Sequence, residues 1–546
     1  MTTFAAIDIG SNSCRLKVAR VVAHRLKTVH EDREVTRLGA SVFGGGLISP
    51  EAMAVTLKAL KRFQRAVQEY GADQIRVVAT AAMRDARNAQ AFVTWAKAET
   101  GWEIEIISGL EEARLIHRGV VSNEPDAAGR LLLVDVGGGS CEITLSQAQR
   151  IRETISLPLG AVRLTQEFLP TDPADADALG RMHQFIAREL RRAHGWIHPA
   201  GSRAGTTPPL VIATSGTAAA LAEAHLILPG KAKAGRGRSA AVRTKLRTSK
   251  TLRGKGASAG SGKARSGKGW VTTQQVRQLA RRLRKMTLAE REAMPGIGAR
   301  RAEIIVAGAY VYAELLESFR LEGFRYSEMG LRDGILAQML AEQDDRALAH
   351  EQFEIERWES VMATAIRYGV NLKQVEPIRA HAVELFDALV PLHKLPEEYR
   401  TWLATAAALS ETGKFLNHQG HHRHTQYIIS ASEIYGFSQQ QRTVVSAIAR
   451  YLGKTRPQPD DRAMRNIAPA EHEPVRRAVV LLRLAMALNQ DRASDVVRFG
   501  VRVYPRRVLL ELEPGRTGAE LELWSLRKEA GYFREVFGRE LLVTLV

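Results

Sequence analysis

Two kinds of apolar pattern alternate along the first two thirds of the chain. Short continuous runs are broken by glycine and serine, and longer stretches carry apolar residues every three or four positions. The first kind reads as buried strands and the second as amphipathic helices, so the class expected is α/β. Strands are expected at Phe4–Ile9, Arg15–Val22, Ile75–Ala79 and Glu103–Ile107, with a pair folded around a glycine turn within 131–145. A loop around Gly39–Gly46 leads to a helix in which Ser49 caps and Pro50 takes the first turn, ending before Gly71. Helical periodicity returns up to about Trp196, a strand covers Leu210–Ala213, and helices are expected from about Thr273 to Lys285 and from Ala302 to Glu317. From about Asp344 to Asp491 the pattern is almost wholly helical. Strand-like Val496–Tyr504 and Val508–Leu512, a last helix and a strand at Leu541–Val546 close the chain.

The chemistry concentrates where strands break. In LLLVDVGGGSCEITL (131–145), Gly137, Gly138 and Gly139 leave no Cβ between backbone and ligand, so successive N–H groups, with that of Ser140, can converge on an anion. Asp135 enters the turn and Glu142 leaves it; two carboxylates beside a phosphate-sized nest call for a divalent cation. The stretch AAIDIGSNSCRLKV (5–18) repeats the pattern, matching Asp8 with Asp135, Gly10 with Gly137, Ser13 with Ser140 and Cys14 with Cys141 at a constant offset of 127. Duplication implies two similar lobes that face each other across a cleft and grip a polyphosphate or nucleotide from both sides.

Composition narrows the setting. The length of 546 residues suits three or four domains, and no apolar run approaches the roughly 18 residues of a membrane span. The N-terminus enters a strand with no basic leader, so a cytoplasmic protein is expected. Two cysteines, each just after a phosphate turn, exclude a disulfide framework and read as small buried apolar residues. Of the net charge of +19, the 13 Lys and Arg of residues 231–269, which include no acid, leave about +6 for the rest. That stretch, rich in Gly, Ser and Ala, is expected to be a disordered basic insert.

Other breaks carry candidate groups. Arg84, in TAAMRDARN at the C-terminal edge of a strand, could hold a terminal phosphate or simply start a helix at the surface. Ser108 is a helix cap, which puts Glu111 and Glu112 in the first turn; either could suit the helix dipole or act as a general base. Thr214-Ser215-Gly216-Thr217 is a third small-residue turn before a helix, suited to phosphate or ribose. Met294–Ala299 mimics the hairpin of DNA-binding helix–hairpin–helix modules but reads as an interhelical turn. The run Asn417–His424 has four histidines without an accompanying cysteine or carboxylate, and reads as a polyanion-facing loop or a cap more than a metal site.

Seven segments in order, IDIGSNSCRL, VVATAAMRDARN, IISGLEEARLI, LLLVDVGGGSCEI, SLPLGAVRLTQEF, IATSGTAAALA and YSEMGLRDGIL, resemble the exopolyphosphatase/guanosine pentaphosphate phosphohydrolase (Ppx/GppA) family of the actin–Hsp70–sugar kinase superfamily. The resemblance implies two actin-like (ribonuclease H-like) lobes, 1–125 and 126–337, the second carrying the insert. A degenerate histidine–aspartate-type helical domain at 338–492 and a small α/β domain at 493–546 would follow. In the helical domain His381 survives, while Ser410-Glu411 and Asn489 stand where the other metal ligands would be, which argues against a second metal centre. By motif position, Glu112 is implied as the catalytic base; Asp8, Asp135 and Glu142 as ligands of Mg²⁺ (or Mn²⁺); and Ser11, Asn12, Ser13, Arg84, Gly137, Gly138, Gly139, Ser140, Gly216 and Thr217 as phosphate-binding. The implied activity is release of terminal orthophosphate from inorganic polyphosphate, with the 5′-phosphate of guanosine pentaphosphate, a stringent-response nucleotide, as the alternative substrate. A homodimer is implied as the assembly, with neither a membrane nor a specific nucleic acid as partner. A kinase of the same superfamily and a non-catalytic polyanion-binding protein are the remaining rivals.

Overall fold

The computed structural model describes residues 2–199, 208–227, 269–343, 350–453, 455–490, 497–514 and 518–546. All of the basic stretch 231–269 except Gly269 lies outside the described residues. The chain forms two compact units, Met1–Gln343 and Asp344–Val546.

The first unit is built on two sheets. One contains β1 (Thr3–Ile9), β2 (Cys14–Val22), β3 (Arg25–Glu34), β4 (Gln74–Ala79) and β5 (Ile104–Ile106) in the order β3-β2-β1-β4-β5. The other contains β6 (Arg130–Val136), β7 (Cys141–Gln147), β8 (Arg150–Leu157), β9 (Leu210–Thr214), β10 (Trp270–Thr272) and β11 (Gly323–Tyr326) in the order β10-β11-β9-β6-β7-β8. Each sheet has an antiparallel meander of three strands with parallel strands added beside its first strand. Apart from β10, the second sheet repeats the order of the first.

The repeat extends to register. Asp8 pairs with Arg15 and Asp135 with Glu142, again 127 apart. The pairing of second and third strands slips once in each lobe, between Val18 and Ala19 and between Leu145 and Ser146, also 127 apart. A bulge re-aims side chains and is costly to move, so a shared one marks a copied scaffold. Both meanders have a third strand beyond the expected ones, β3 and β8. Each is reached through two residues in the left-handed region: Ala23 and His24 (φ 50° and 58°), and Ala148 and Gln149 (φ 51° and 62°).

Among the described residues of this unit, twelve α-helices enclose the sheets. They are α1 (Gly39–Gly45), α2 (Pro50–Glu69), α3 (Ala81–Asp85), α4 (Ala89–Thr100), α5 (Gly109–Val121), α6 (Ala161–Phe168), α7 (Ala176–His194), α8 (Ser215–Ala224), α9 (Thr273–Leu283), α10 (Leu288–Ala293), α11 (Ile305–Ser318) and α12 (Leu331–Gln343). The segment expected as a loop around Gly39–Gly46 is therefore mostly helix. Ser49 Oγ accepts from the Ala52 N–H at 3.2 Å, the cap expected for α2. The interhelical turn expected at Met294–Ala299 lies between α10, a short helix beyond the expected ones, and α11. The apolar faces close separate cores, one around Phe63 and Phe92 in the first lobe and one around Tyr312 and Phe324 in the second. Helix α5 leaves the first lobe and packs on α12 so closely that a Cβ on Gly334 would lie 1.7 Å from the Leu115 carbonyl oxygen. Lys17 Nζ meets Asp333 at 2.6 Å and Arg332 donates to the Leu16 carbonyl at 2.8 Å, which holds α12 to β2.

In the second unit, helices including Leu372–Ala388, Glu398–Leu409, Gln439–Arg450 and His472–Ala487 share one apolar core with β12 (Arg498–Val503), β13 (Arg507–Glu513), the helix Glu520–Phe537 and β14 (Glu540–Leu545). His381 and Asn489 are buried against each other, with the Asn489 amide nitrogen 2.9 Å from His381 Nδ1. Ser410 and Glu411 are also buried, and Glu411 pairs with Lys414 at 2.7 Å. The histidine run divides between a turn and the helix His421–Ala431. Among the described residues no three His, Cys, Asp or Glu side chains are grouped to hold a metal ion, and no helix is long and apolar enough to cross a membrane.

Candidate active site

Backbone geometry makes the cleft. The carbonyls of both repeat loops are bound from behind by amides. Gly39 N–H donates to the Ser11 carbonyl at 2.7 Å, and Thr36 and Arg37 N–H donate to that of Asn12. In the second lobe the first turn of α6 does the same: Ala161 N–H bonds the Gly137 carbonyl, Val162 N–H bonds that of Gly138, and Arg163 Nε bonds that of Gly139 at 2.8 Å. With their carbonyls tied back, the loops are held in place, a backbone arrangement suited to an anion. Gly160 is where the chain must come closest, since a Cβ there would sit 2.2 Å from the Gly139 carbonyl carbon.

The loops touch across the cleft. A Cβ on Gly138 would lie 2.9 Å from Ser11 Cβ, and one on Gly139 would lie 2.5 Å from both Ala81 Cβ and the Phe43 ring. Arg163 pairs with Asp85 of the other lobe and stacks on Phe43 with its guanidinium carbon 4.1 Å from the ring centre. Behind this contact lies a cavity of about 540 Å³. Of the expected site residues, it gathers Asp8, Ser11, Asn12, Ser13, Glu112, Asp135, Gly137, Gly138, Gly139, Ser140 and Gly216 on its wall.

Three expected residues lie elsewhere. Thr217 turns away from the wall and packs on Gly308, because one helical step rotates it off the face that carries Ser215 and Gly216. Glu142 is only 2 % exposed and sits behind the wall. Arg84 is committed to protein groups: it donates to the Ile107 carbonyl at 2.8 Å and to Glu112 at 2.9 Å, and reaches Ser140 Oγ at 3.5 Å. Its position buttresses Glu112.

The ambiguity between the two glutamates of α5 resolves by contact. Ser108 caps the helix, accepting from the Glu111 N–H at 3.1 Å. Glu111 turns to Arg76, 3.3 Å away, in a salt-bridge group with Glu105. Glu112 turns into the cleft and is 8 % exposed. Burial raises its carboxyl to about 7 and Asp135 and Asp8 add to the rise, while Arg84 opposes it. A carboxylate held at that value suits proton transfer near neutral pH.

One row across each sheet carries most of the charge. In the second lobe, register places Thr214, Asp135, Glu142 and Ser156 side by side on β9, β6, β7 and β8. The equivalent row of the first lobe is Val78, Asp8, Arg15 and Arg33 on β4, β1, β2 and β3. The second lobe therefore presents two carboxylates flanked by hydroxyls, and the first presents one carboxylate followed by two guanidiniums. Arg301 and Arg332 join Arg15 and Arg33 on the wall. Burial and mutual repulsion push Arg33 down to about 10 and Arg301 to about 9, and Arg332 is lowered too. Asp8, Asp135 and Glu31 offset this repulsion only in part, so a further anion in the cavity would be favoured. Arg301 lies flat over Gly216, where a Cβ would be 1.5 Å from its Nη2. These arginines carried no local signal, being scattered over more than three hundred residues of sequence.

Several buried polar atoms have no hydrogen-bond partner among the described residues: Ser11 Oγ, Asn12 Nδ2, Arg33 Nε and Nη2, and Glu142 Oε2. The unpaired donors suit phosphate oxygens, and the unpaired carboxylate oxygen suits a cation. Burial holds the carboxyls of Asp8, Asp135 and Glu142 above their ordinary range; Asp8 adds to the rise at Asp135, and Glu112 and Asp135 add to that at Glu142, while arginines oppose the rise at Asp8. Two carboxylates from one row cannot cage a metal alone. That suits Mg²⁺, which takes one or two carboxylates and completes its shell with water and phosphate oxygens. The two cysteines, Cys14 and Cys141, are buried and free, with thiols pushed far above their usual range by burial.

Comparison with known proteins bears on family and fold. The sequence model of the Ppx/GppA phosphatase family matches residues 17–343, and that of Ppx/GppA phosphatase domain III matches 357–530. The chain is similar to the crystal structure of an exopolyphosphatase from Cytophaga hutchinsonii at 25% identity, covering 62% of this chain and 98% of that one with a TM-score of 0.50. It is similar to an exopolyphosphatase-like protein at 26% identity, covering 61% and 96%, also with a TM-score of 0.50. An Aquifex aeolicus member of the Ppx/GppA family matches at 26% identity over 63% and 99%, with a TM-score of 0.47.

Proposed function

This chain belongs to the Ppx/GppA phosphatase family, and we propose that it hydrolyses the terminal phosphoanhydride of inorganic polyphosphate, releasing orthophosphate. The observation that carries this reading is the pair of opposed rows. Arg15 and Arg33, with Arg301 and Arg332, line the cavity as a seat for a polyanion, and Asp135 on the same wall, with Glu142 paired behind it, would seat a counter-cation. The cavity wall has four arginines and one aromatic ring, Tyr326, an inventory for successive phosphates more than for a stacked nucleobase. The exopolyphosphatase from Cytophaga hutchinsonii supports the same substrate class by likeness.

In this mechanism the amides of residues 11–13 and 138–140 cradle the end of the chain. Glu112 takes a proton from the water that attacks the terminal phosphorus in line. Arg84 keeps Glu112 aimed by holding one of its oxygens. Asp135 and Glu142, with Asp8 on the facing lobe, would hold Mg²⁺ or Mn²⁺, which would supply positive charge to the phosphoryl and leaving oxygens. The deciding experiment measures orthophosphate release from long polyphosphate and from guanosine pentaphosphate with either metal. A kcat/KM greater for the nucleotide would overturn the choice of substrate.

A further inference from the structure

Resting on that site, we infer that Ser156 and Thr214 are positioning residues that aim the two carboxylates of the second lobe at the cation. They stand at the ends of the same row, on β8 and β9, with Asp135 and Glu142 between them. Ser156 Oγ donates to Glu142 Oε1 at 2.7 Å, and Thr214 Oγ1 donates to Asp135 Oδ2. A hydroxyl has one proton to give, and each gives it to one carboxylate oxygen. The other oxygen of Glu142, Oε2, is left buried and without a partner among the described residues. Outer groups that take one oxygen of a ligand fix the direction of the other.

Both hydroxyls are themselves held. Thr214 is fully buried at the end of β9, and its carbonyl accepts from the Tyr312 hydroxyl at 3.1 Å. Ser156 lies under the first residue of α5: a Cβ on Gly109 would come within 2.3 Å of Ser156 Oγ and 3.7 Å of Glu142 Oε1. The helix that carries Glu112 thus begins on top of the hydroxyl that orients Glu142. In the first lobe the corresponding positions are Val78 and Arg33, which cannot do this for Asp8 and Arg15. The hydroxyl pair therefore belongs to the row that carries the two carboxylates.

The test is Mn²⁺ binding followed by the spin-resonance signal of the free ion, without substrate, on full-length protein. Ser156→Ala and Thr214→Val should each weaken Mn²⁺ by roughly tenfold to a hundredfold, the range expected for outer-shell groups. Ser156→Thr and Thr214→Ser, which restore a hydroxyl, should recover most of the loss. Gly109→Ala keeps every polar group but displaces Ser156, and should weaken Mn²⁺ in the same direction; it serves if the alanine or valine variants do not fold. Folded variants that bind Mn²⁺ as the wild type does would overturn the positioning role alone. Failure of the wild type itself to bind Mn²⁺, or binding unaffected by Glu142→Gln, would overturn the metal seat and this inference together.

Discussion

Replacing Glu112 by glutamine separates activity from stability, because the structure makes the two effects opposite in sign. Glutamine has the same shape, and its amide oxygen can still accept from Arg84, which also keeps its bond to the Ile107 carbonyl at 2.8 Å. What disappears is a base whose carboxyl is raised from 4.5 to about 7, chiefly by burial. A raised value means the folded state holds the proton more tightly than the unfolded chain. This group's contribution to stability is therefore full below pH 4.5 and is lost as pH rises through about 7. At pH 8 keeping Glu112 ionised costs about 3 kcal/mol, at about 1.4 kcal/mol per decade. Glu112→Gln should abolish most turnover, roughly 10²- to 10⁴-fold in kcat. At pH 8 the metal-free variant should be more stable than wild type by about 1–3 kcal/mol, once the weaker bond to Arg84 is subtracted. Orthophosphate release gives the first quantity, and urea unfolding from pH 5 to pH 9 gives the second. Hydrolysis within tenfold of wild type would refute the base. A variant less stable at pH 8 would refute the account of why that carboxyl is raised.

For the wild type, kcat/KM should rise with pH along a limb centred near 7, since only ionised Glu112 can take a proton; a flat profile from pH 5.5 to 8.5 would contradict this. Gly139→Ala places a methyl 2.5 Å from Ala81 and Phe43, so it should reduce turnover at least a hundredfold while altering the melting temperature little, because the lobes can part to relieve the clash. Small-angle scattering should then report a larger radius of gyration. Arg33→Ala and Arg301→Ala should each raise KM for polyphosphate roughly tenfold to a hundredfold, the worth of a charge-assisted hydrogen bond, and should flatten the dependence of KM on salt.

Much of this architecture was legible because the two repeat loops carry their own punctuation. Asp8 and Asp135, each followed by glycine and serine and then a returning strand, disclosed the duplication and the nests. The third strands were not legible. Hairpin turns with two left-handed residues favour Asn-Gly or Asp-Gly, and here they are Ala23-His24 and Ala148-Gln149, which announce nothing. Helix α1 was hidden by its glycines, although it is the Gly39 amide that fixes the Ser11 carbonyl. The basic seat was hidden for another reason. Arg15 and Arg33 meet through strand pairing, Arg332 comes from α12 and Arg301 from the turn before α11, so no window of sequence contains them together. Thr217 shows the opposite case: the small-residue turn was read as suited to phosphate or ribose, and Ser215 and Gly216 do line the cavity, but the helix it opens sends its third residue into the core.

The two rows also bear on the order in which ligands arrive. A sheet edge with two guanidiniums opposes one with two carboxylates, and the charge of Arg15 already reaches Asp135. With nothing bound, each row partly neutralises the other. A polyanion on the arginines should withdraw that compensation from Asp135 and so strengthen its hold on a cation. A cation on the carboxylates frees the arginines for the polyanion by the same amount, since linkage between two binding sites is reciprocal. On the proposed activity, the duplicated scaffold, diverged at one row, should show heterotropic cooperativity, with metal and polyphosphate each binding weakly alone and tightly together.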